Sequence, residues 1–124
     1  MTKTWFITGA SSGLGRMLTE KLLARGDRVA ATLRKLNALD DLKASFGDQL
    51  CVVSLDVTDL AAIRQVVDHA FSEMGHIDVV VNNAGYGLFG AAEEVSDEQI
   101  RDQIDTNLIG SIGVIRAALP HLSV

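Results

Sequence analysis

The residues with the clearest chemical potential lie in one segment, Thr8-Gly9-Ala10-Ser11-Ser12-Gly13-Leu14-Gly15. It follows a short apolar run, Thr4 to Thr8, and leads into a stretch with helical periodicity. The glycines therefore fall where a strand hands over to a helix. At such a junction glycine allows a tight turn, close approach of the backbone to a phosphate, and close packing of helix on strand. A helix beginning near Gly13 aims free N–H groups and its positive dipole end at a pyrophosphate, with the Ser11 and Ser12 hydroxyls as further donors. No Gly-Lys-Ser/Thr follows, so this is not a P-loop. A glycine-rich turn with no ligand is the competing reading, and its place between a buried strand and an amphipathic helix argues for the phosphate.

The rest of the chain alternates short apolar runs with longer amphipathic ones. Thr4–Thr8, Arg28–Leu33, Leu50–Leu55 and Asp78–Asn82 are β-branched or continuously apolar, as strands covered on both faces are. Leu14, Met17, Leu18 and Leu22 form a helical stripe, and Ile63, Val66, Val67, Ala70, Phe71 and Met74 form a longer one. The segment from Asn37 to Phe46 reads as a shorter helix. Ser96-Asp97-Glu98-Gln99 has the form of a capping box. The helix it opens should carry Ile100, Ile104, Leu108 and Ile115 on its buried stripe and end at Pro120. This β-α-β-α-β-α-β-α order predicts an α/β fold: a Rossmann-like, doubly wound parallel sheet in three α/β/α layers.

Composition narrows the partners. The chain has 124 residues, 48% apolar and 22% charged, with a formal net charge of −5. Without a Lys/Arg block, such a chain is a poor binder of nucleic acid or anionic membrane. Cys51 is the single cysteine, expected to be an inert thiol in a buried strand. No Cys/His cluster has metal-ligand spacing, so no metal is expected. His69, His76 and His121 are scattered and read as surface or cap residues, and Glu93-Glu94 as a solvated lead-in to the next helix. No window reaches the roughly 18 apolar residues of a membrane span, and the N-terminal apolar run is too short for a signal peptide. The expectation is one compact cytoplasmic domain over residues 1–124.

The glycine spacing G-x-x-x-G-x-G, together with three later elements, resembles the short-chain dehydrogenase/reductase family. Thr8 to Gly15 is similar to its T-G-x-x-x-G-x-G element, and Asn82-Asn83-Ala84-Gly85 to its N-N-A-G element. Asp56-Val57, after the third strand, matches the family's adenine-contacting aspartate, and Asn107 in Thr106-Asn107-Leu108-Ile109-Gly110 its helix-borne catalytic asparagine. The resemblance runs from Thr4 to about Pro120. It implies an oxidoreductase that moves hydride between a nicotinamide cofactor and an alcohol or ketone. Gly9, Ser11, Ser12, Gly13, Leu14, Gly15, Asp56, Val57, Asn83, Ala84 and Gly85 would face the cofactor, and Asn107 would be catalytic. On its own, Asn107 reads as a satisfied amide inside a helix striped with Ile and Leu. Asp56 likewise reads as a cap for a helix beginning near Thr58 or Asp59.

The end of the second strand bears on which cofactor. An acidic side chain there would bond the adenosine ribose and repel a 2′-phosphate. The family's acidic position is here Leu33, followed by Arg34 and Lys35. Two cations and no anion favour NADP(H) over NAD, with Arg34 pairing the phosphate, against the alternative of a solvated basic turn. Tyr86 and Phe89 are candidates for lining a substrate pocket. The run from Asn83 to Gly90 looks like family members acting on hydrophobic alcohols and ketones, such as steroids and retinoids. Members commonly pair through long helices, including the one that carries Asn107, which implies a homo-oligomer.

The family mechanism also uses a serine, a tyrosine and a lysine four residues after it, whose positive charge lowers the phenol pKa toward neutral pH. This chain holds one tyrosine, Tyr86, with Gly90 four residues on, and its lysines are Lys3, Lys21, Lys35 and Lys43. The expectation is therefore the cofactor-binding half of such an enzyme, truncated and inactive alone, with Val79-Val80-Val81 on an exposed edge that invites association. A noncatalytic dinucleotide-binding module is the alternative. A phosphoacceptor domain has the same size and an aspartate at this strand end. It would need acidic Mg²⁺ ligands after the first strand, where Gly-Ala-Ser-Ser-Gly stands instead.

Overall fold

The computed structural model describes residues 2–11, 13–83 and 96–122. Four parallel strands, β1 (Thr4–Ile7), β2 (Arg28–Leu33), β3 (Leu50–Ser54) and β4 (Val79–Val81), form one sheet in the order β3-β2-β1-β4. The helices are α1 (Gly13–Ala24), α2 (Asp40–Phe46), α3 (Leu60–Met74), α4 (Asp97–Ile104) and α5 (Gly110–Leu122). A 3₁₀ turn, Leu36–Leu39, leads into α2, and a π-turn, Asp105–Ile109, joins α4 to α5. This is the doubly wound α/β arrangement that the alternating pattern predicts.

Side chains alternate across the strands, so the sheet feeds two cores. On one face Phe6 and Ala30 pack with Ile63, Val67, Ala70 and Phe71 of α3 and with Val114, Ala117 and Ala118 of α5. On the other, Ile7, Val29, Ala31 and Leu33 pack with Leu22 and Leu23 of α1 and Leu42 of α2. Asp59 opens α3 by accepting the Ala62 N–H at 3.0 Å, and Ser96 with Gln99 forms the expected capping box on α4.

Three sequence expectations need correction. The stripe of α1 is rotated: Gly15, Thr19, Leu22 and Leu23 are buried, whereas Leu14 and Met17 are exposed. Close packing on the strands selects the small face, leaving the bulkier Leu14 and Met17 outside. For the same reason Leu108 and Ile115 face outward, and α5 packs through Gly110, Gly113, Val114, Ala117 and Ala118. Ile100 and Ile104 lie outside the residues whose side chains are described. Finally, Pro120 sits inside α5 instead of ending it. So near the C-terminus its missing N–H costs a single helical bond.

At the opposite edge from the glycine turn, Asp27 ties the start of β1 to the entry of β2. It is 2% exposed and accepts hydrogen bonds from the Lys3 N–H (3.0 Å), Trp5 Nε1 (3.0 Å) and Arg25 Nε (2.8 Å). The Lys3 N–H bond, aided by Trp5 and Arg25, holds its carboxyl below the ordinary carboxylate value. A carboxyl lowered in the folded state contributes stability above its unfolded pKa, about 4, and loses it as pH falls through the folded value. Asp27→Asn should therefore melt at lower temperature at pH 7 and lose less between about pH 5 and pH 3 than the parent chain does. Thermal denaturation followed by circular dichroism across that range checks this; parallel curves for the two proteins would contradict it.

Candidate functional site

Because every strand is parallel, the C-terminal ends share one edge of the sheet. From β1 the chain order runs to β2 and β3 on one side and to β4 on the other. This reversal is a topological switch point, where open α/β sheets leave a crevice. Gly9, Arg34, Asp56 and Asn83 each follow the C-terminal end of a strand, so the sheet gathers four separated segments at that crevice.

The glycine turn is built on conformation and on contact. Gly9 at φ 65° and Gly13 at φ 60° adopt left-handed backbone, which side chains disfavour. Gly15 has another reason: a Cβ there would stand 2.3 Å from the Gly9 carbonyl oxygen and 2.4 Å from Asn83 Nδ2. Asn83 Nδ2 donates to the Gly9 carbonyl at 3.0 Å, and the Asn83 N–H donates to Thr8 Oγ1 at 3.0 Å. Beneath them the Thr8 N–H bonds the Val81 carbonyl and the Ala10 N–H bonds the Thr32 carbonyl, each at 3.1 Å. Asn83 thus makes the side-chain bond between strand ends that its type suggested, while Asn82 is exposed. Ser11 is half-buried in the turn, and Leu14 stands exposed in the first turn of α1. Ser12, Ala84, Gly85, Tyr86, Phe89, Glu93 and Glu94 lie outside the described residues.

At the other end of the crevice, Arg34 is 82% exposed, with Nη2 4.0 Å from Asp56 Oδ2. Asp56 Oδ1 accepts the Thr58 N–H at 3.0 Å and the Thr58 hydroxyl at 2.7 Å. The Thr58 N–H, then its hydroxyl, keep the Asp56 carboxyl below its ordinary value, and Arg34 adds a smaller pull. Asp56 shapes this turn, and the cap of α3 is Asp59. Val57 is buried, and a Cβ on Gly110 would stand 2.7 Å from its carbonyl oxygen. This brings the start of α5, directly after the π-turn that carries Asn107, against Val57. Asn107 is exposed and its carbonyl accepts the Ser111 hydroxyl at 3.1 Å, so it is not an interior amide. π-turns inside helices recur at functional sites.

Two contacts escape the sequence reading. Thr8 anchors Asn83, a role no periodicity reveals. Arg16 ties α1 to Ala38 just before α2 and to Asp41 in its first turn, and its sole sequence signal is the i,i+4 spacing to Glu20. Of the three histidines, His121 stacks on Phe71 at 4.3 Å and lies 2.7 Å from Asp68 Oδ1, pinning α5 to α3 far from the glycine turn. His76 lies 3.5 Å from Asp78 Oδ2, and His69 is exposed. Cys51 is half-buried instead of buried, on the edge strand β3, and burial pushes its thiol pKa up. Among the described residues no group of three or more His, Cys, Asp or Glu could hold a metal ion, and no helix is long and apolar enough to cross a membrane.

A family model described as short chain dehydrogenase matches residues 3–123. Oxidoreductase BOA17 of Botryotinia fuckeliana is 44% identical over 98% of this chain and 45% of its own length. The NADP-dependent 3-hydroxy acid dehydrogenase YdfG of Escherichia coli O6:H1 is 38% identical over 94% of this chain and 47% of its own. The crystal structure of a short-chain dehydrogenase from Streptomyces avermitilis superposes with a TM-score of 0.94 at 42% identity, over 98% of this chain and 45% of that one. This chain spans about half the length of the curated relatives it matches.

The crowding at Gly15 gives a direct test. Gly15→Ala forces its methyl into backbone and should cost about 1–3 kcal/mol in urea denaturation, the usual range for overpacking. Gly13→Ala meets open space and bears only the left-handed backbone, about 1–2 kcal/mol. In Gly15→Ala alone, the Asn83 side-chain amide should also lose its protection from hydrogen exchange. A Gly15→Ala chain as stable as its parent would refute the close approach.

Proposed function

This chain belongs to the short-chain dehydrogenase family, and we propose that it supplies the dinucleotide-binding half of an NADP(H)-dependent oxidoreductase acting on an alcohol or carbonyl. The observation that carries the cofactor choice is the end of β2. Leu33, where an acid would meet the ribose, is buried at 2% exposure, and Arg34 beside it stands open to solvent. A guanidinium placed there accommodates a 2′-phosphate. The name of the Escherichia coli relative, an NADP-dependent enzyme, supports the same choice.

The residues present fit such a ligand. Gly9 and Gly13 carry no side chain, the space beside Gly13 is open, and the first N–H groups of α1 begin there, which leaves room for a phosphate. Gly9, Ser11, Ser12, Gly13, Leu14 and Gly15 would hold the pyrophosphate, and Arg34 the ribose phosphate. Asp56 would accept from the adenine amino group beside the Val57 backbone, and Asn83, Ala84 and Gly85 would flank the ligand beyond β4. When bound, the nicotinamide supplies or accepts the hydride. Asn107 would anchor a water for the accompanying proton transfer. The substrate would be a small, hydrophobic alcohol or ketone, in a cytoplasmic protein with no nucleic-acid or membrane partner. The exposed Leu108, Ile112, Ile115 and Leu119 would meet a second copy.

Titration of the 124-residue chain with NADPH and NADH, followed by nicotinamide fluorescence, tests the proposal. NADPH should bind at least about tenfold tighter, as one charge-assisted hydrogen bond of roughly 2 kcal/mol implies, and Arg34→Ala should abolish that preference. With NADP⁺ and hydrophobic alcohols the same chain should show no turnover. Equal affinities would sink the NADP(H) assignment, and turnover would sink the half-site.

A further inference from the structure

Arg16, in the first turn of α1, sits outside the crevice, yet it joins the two segments that line it. Its Nε donates to Glu20 Oε1 at 2.9 Å, Nη1 to the Ala38 carbonyl at 2.9 Å and Nη2 to Asp41 Oδ2 at 2.5 Å. Two carboxylates neutralise this guanidinium and three of its donors are engaged, so it is poorly placed to serve as a phosphate cation. It acts as a strut. One end is fixed to the helix that the glycine turn opens, directly after Gly15. The other end grips the segment between β2 and α2, where the Ala38 N–H bonds the Lys35 carbonyl at 3.1 Å and closes the turn that follows Arg34. Leu39, the next residue, is fully buried, so the gripped segment is seated on the core.

We propose that Arg16 is a positioning residue for cofactor selectivity. It holds the Arg34-Lys35 segment at a fixed separation from the glycine turn, so that one dinucleotide meets both anchoring points without further ordering of the chain. The proposal rests on the reading above that Arg34 meets a 2′-phosphate. Without the strut, the segment must be ordered when the ligand binds, and that cost falls on the ligand that uses Arg34.

The test uses the 124-residue chain and its Arg16→Met and Asp41→Ala variants, each titrated with NADPH and NADH and each melted. Arg16→Met should weaken NADPH about fivefold, the cost of ordering one side chain or short segment, and leave NADH within about twofold. Asp41→Ala separates the strut from simple charge. Removing an anion near a phosphate strengthens binding by Coulomb's law, whereas releasing the strut weakens it. The proposal requires weaker NADPH binding, by about twofold, as an exposed ion pair implies. Tighter NADPH binding in Asp41→Ala, or equal losses for both dinucleotides in Arg16→Met, overturns it. If Arg16→Met does not fold, Asp41→Ala decides alone, since that side chain is 65% exposed. A parent chain that fails to prefer NADPH overturns the functional reading, and this proposal with it.

Discussion

The crevice depends on how closely α1 can approach the ends of β1 and β4. Gly15 lies so near the Gly9 carbonyl and the Asn83 amide that even one methyl group does not fit. That proximity lets Asn83, separated by 74 residues from Gly9, donate to it at 3.0 Å. A side chain at Gly15 would lift the helix from the sheet and leave the Gly9 carbonyl without this partner. The switch point would then lose a bond that joins the ends of β1 and β4. Its chemistry of free N–H groups at a helix start depends on a packing constraint beneath it.

The same constraint recurs on the opposite face. α5 reaches the Asp56-Val57 segment because Gly110 carries no side chain, and it reaches Leu60 and Ile63 because Gly113 carries none. Val114, Ala117 and Ala118 complete the contact with α3, and His121 fastens its far end through Phe71 and Asp68. The π-turn just before Gly110 then presents Asn107 to solvent beside that segment's end of the sheet. Larger residues, Leu108, Ile112, Ile115 and Leu119, are left outward. Small residues draw helices in, and bulk is left on the exposed face.

Charge in the crevice is set locally and not by the chain as a whole. The formal net charge is −5, yet Arg34 and Lys35 stand exposed where β2 ends. Thr58 engages Oδ1 of Asp56, and Oδ2 faces the Arg34 guanidinium at 4.0 Å, the outer limit of an ion pair, so that cation is only loosely held. Arg16 is the contrary case, a cation used up by its neighbours. Exposure and partner geometry separate an available arginine from a structural one, and the residue type alone does not.

Much of this was legible in the sequence. The alternation of buried runs and amphipathic stretches fixed the class and strand content, because period 2 and period 3.6 demand different burial. The glycine turn, Asp56, Asn83 and Asn107 were legible as a set because their types and order match a known family. Orientation was not. Hydrophobicity alone selected Leu14, Met17, Leu108 and Ile115 for burial, and all are exposed. Packing is decided by which face can come closest, and that depends on the partner element, which no local window contains. The bonds of Thr8 to Asn83 and of Arg16 to Ala38 and Asp41 likewise span 75, 22 and 25 residues. Periodicity and residue type carry the layers of the fold and the residues available for chemistry. Which of these residues meet is settled by long-range packing, because their contacts form between segments that the folded sheet alone brings together.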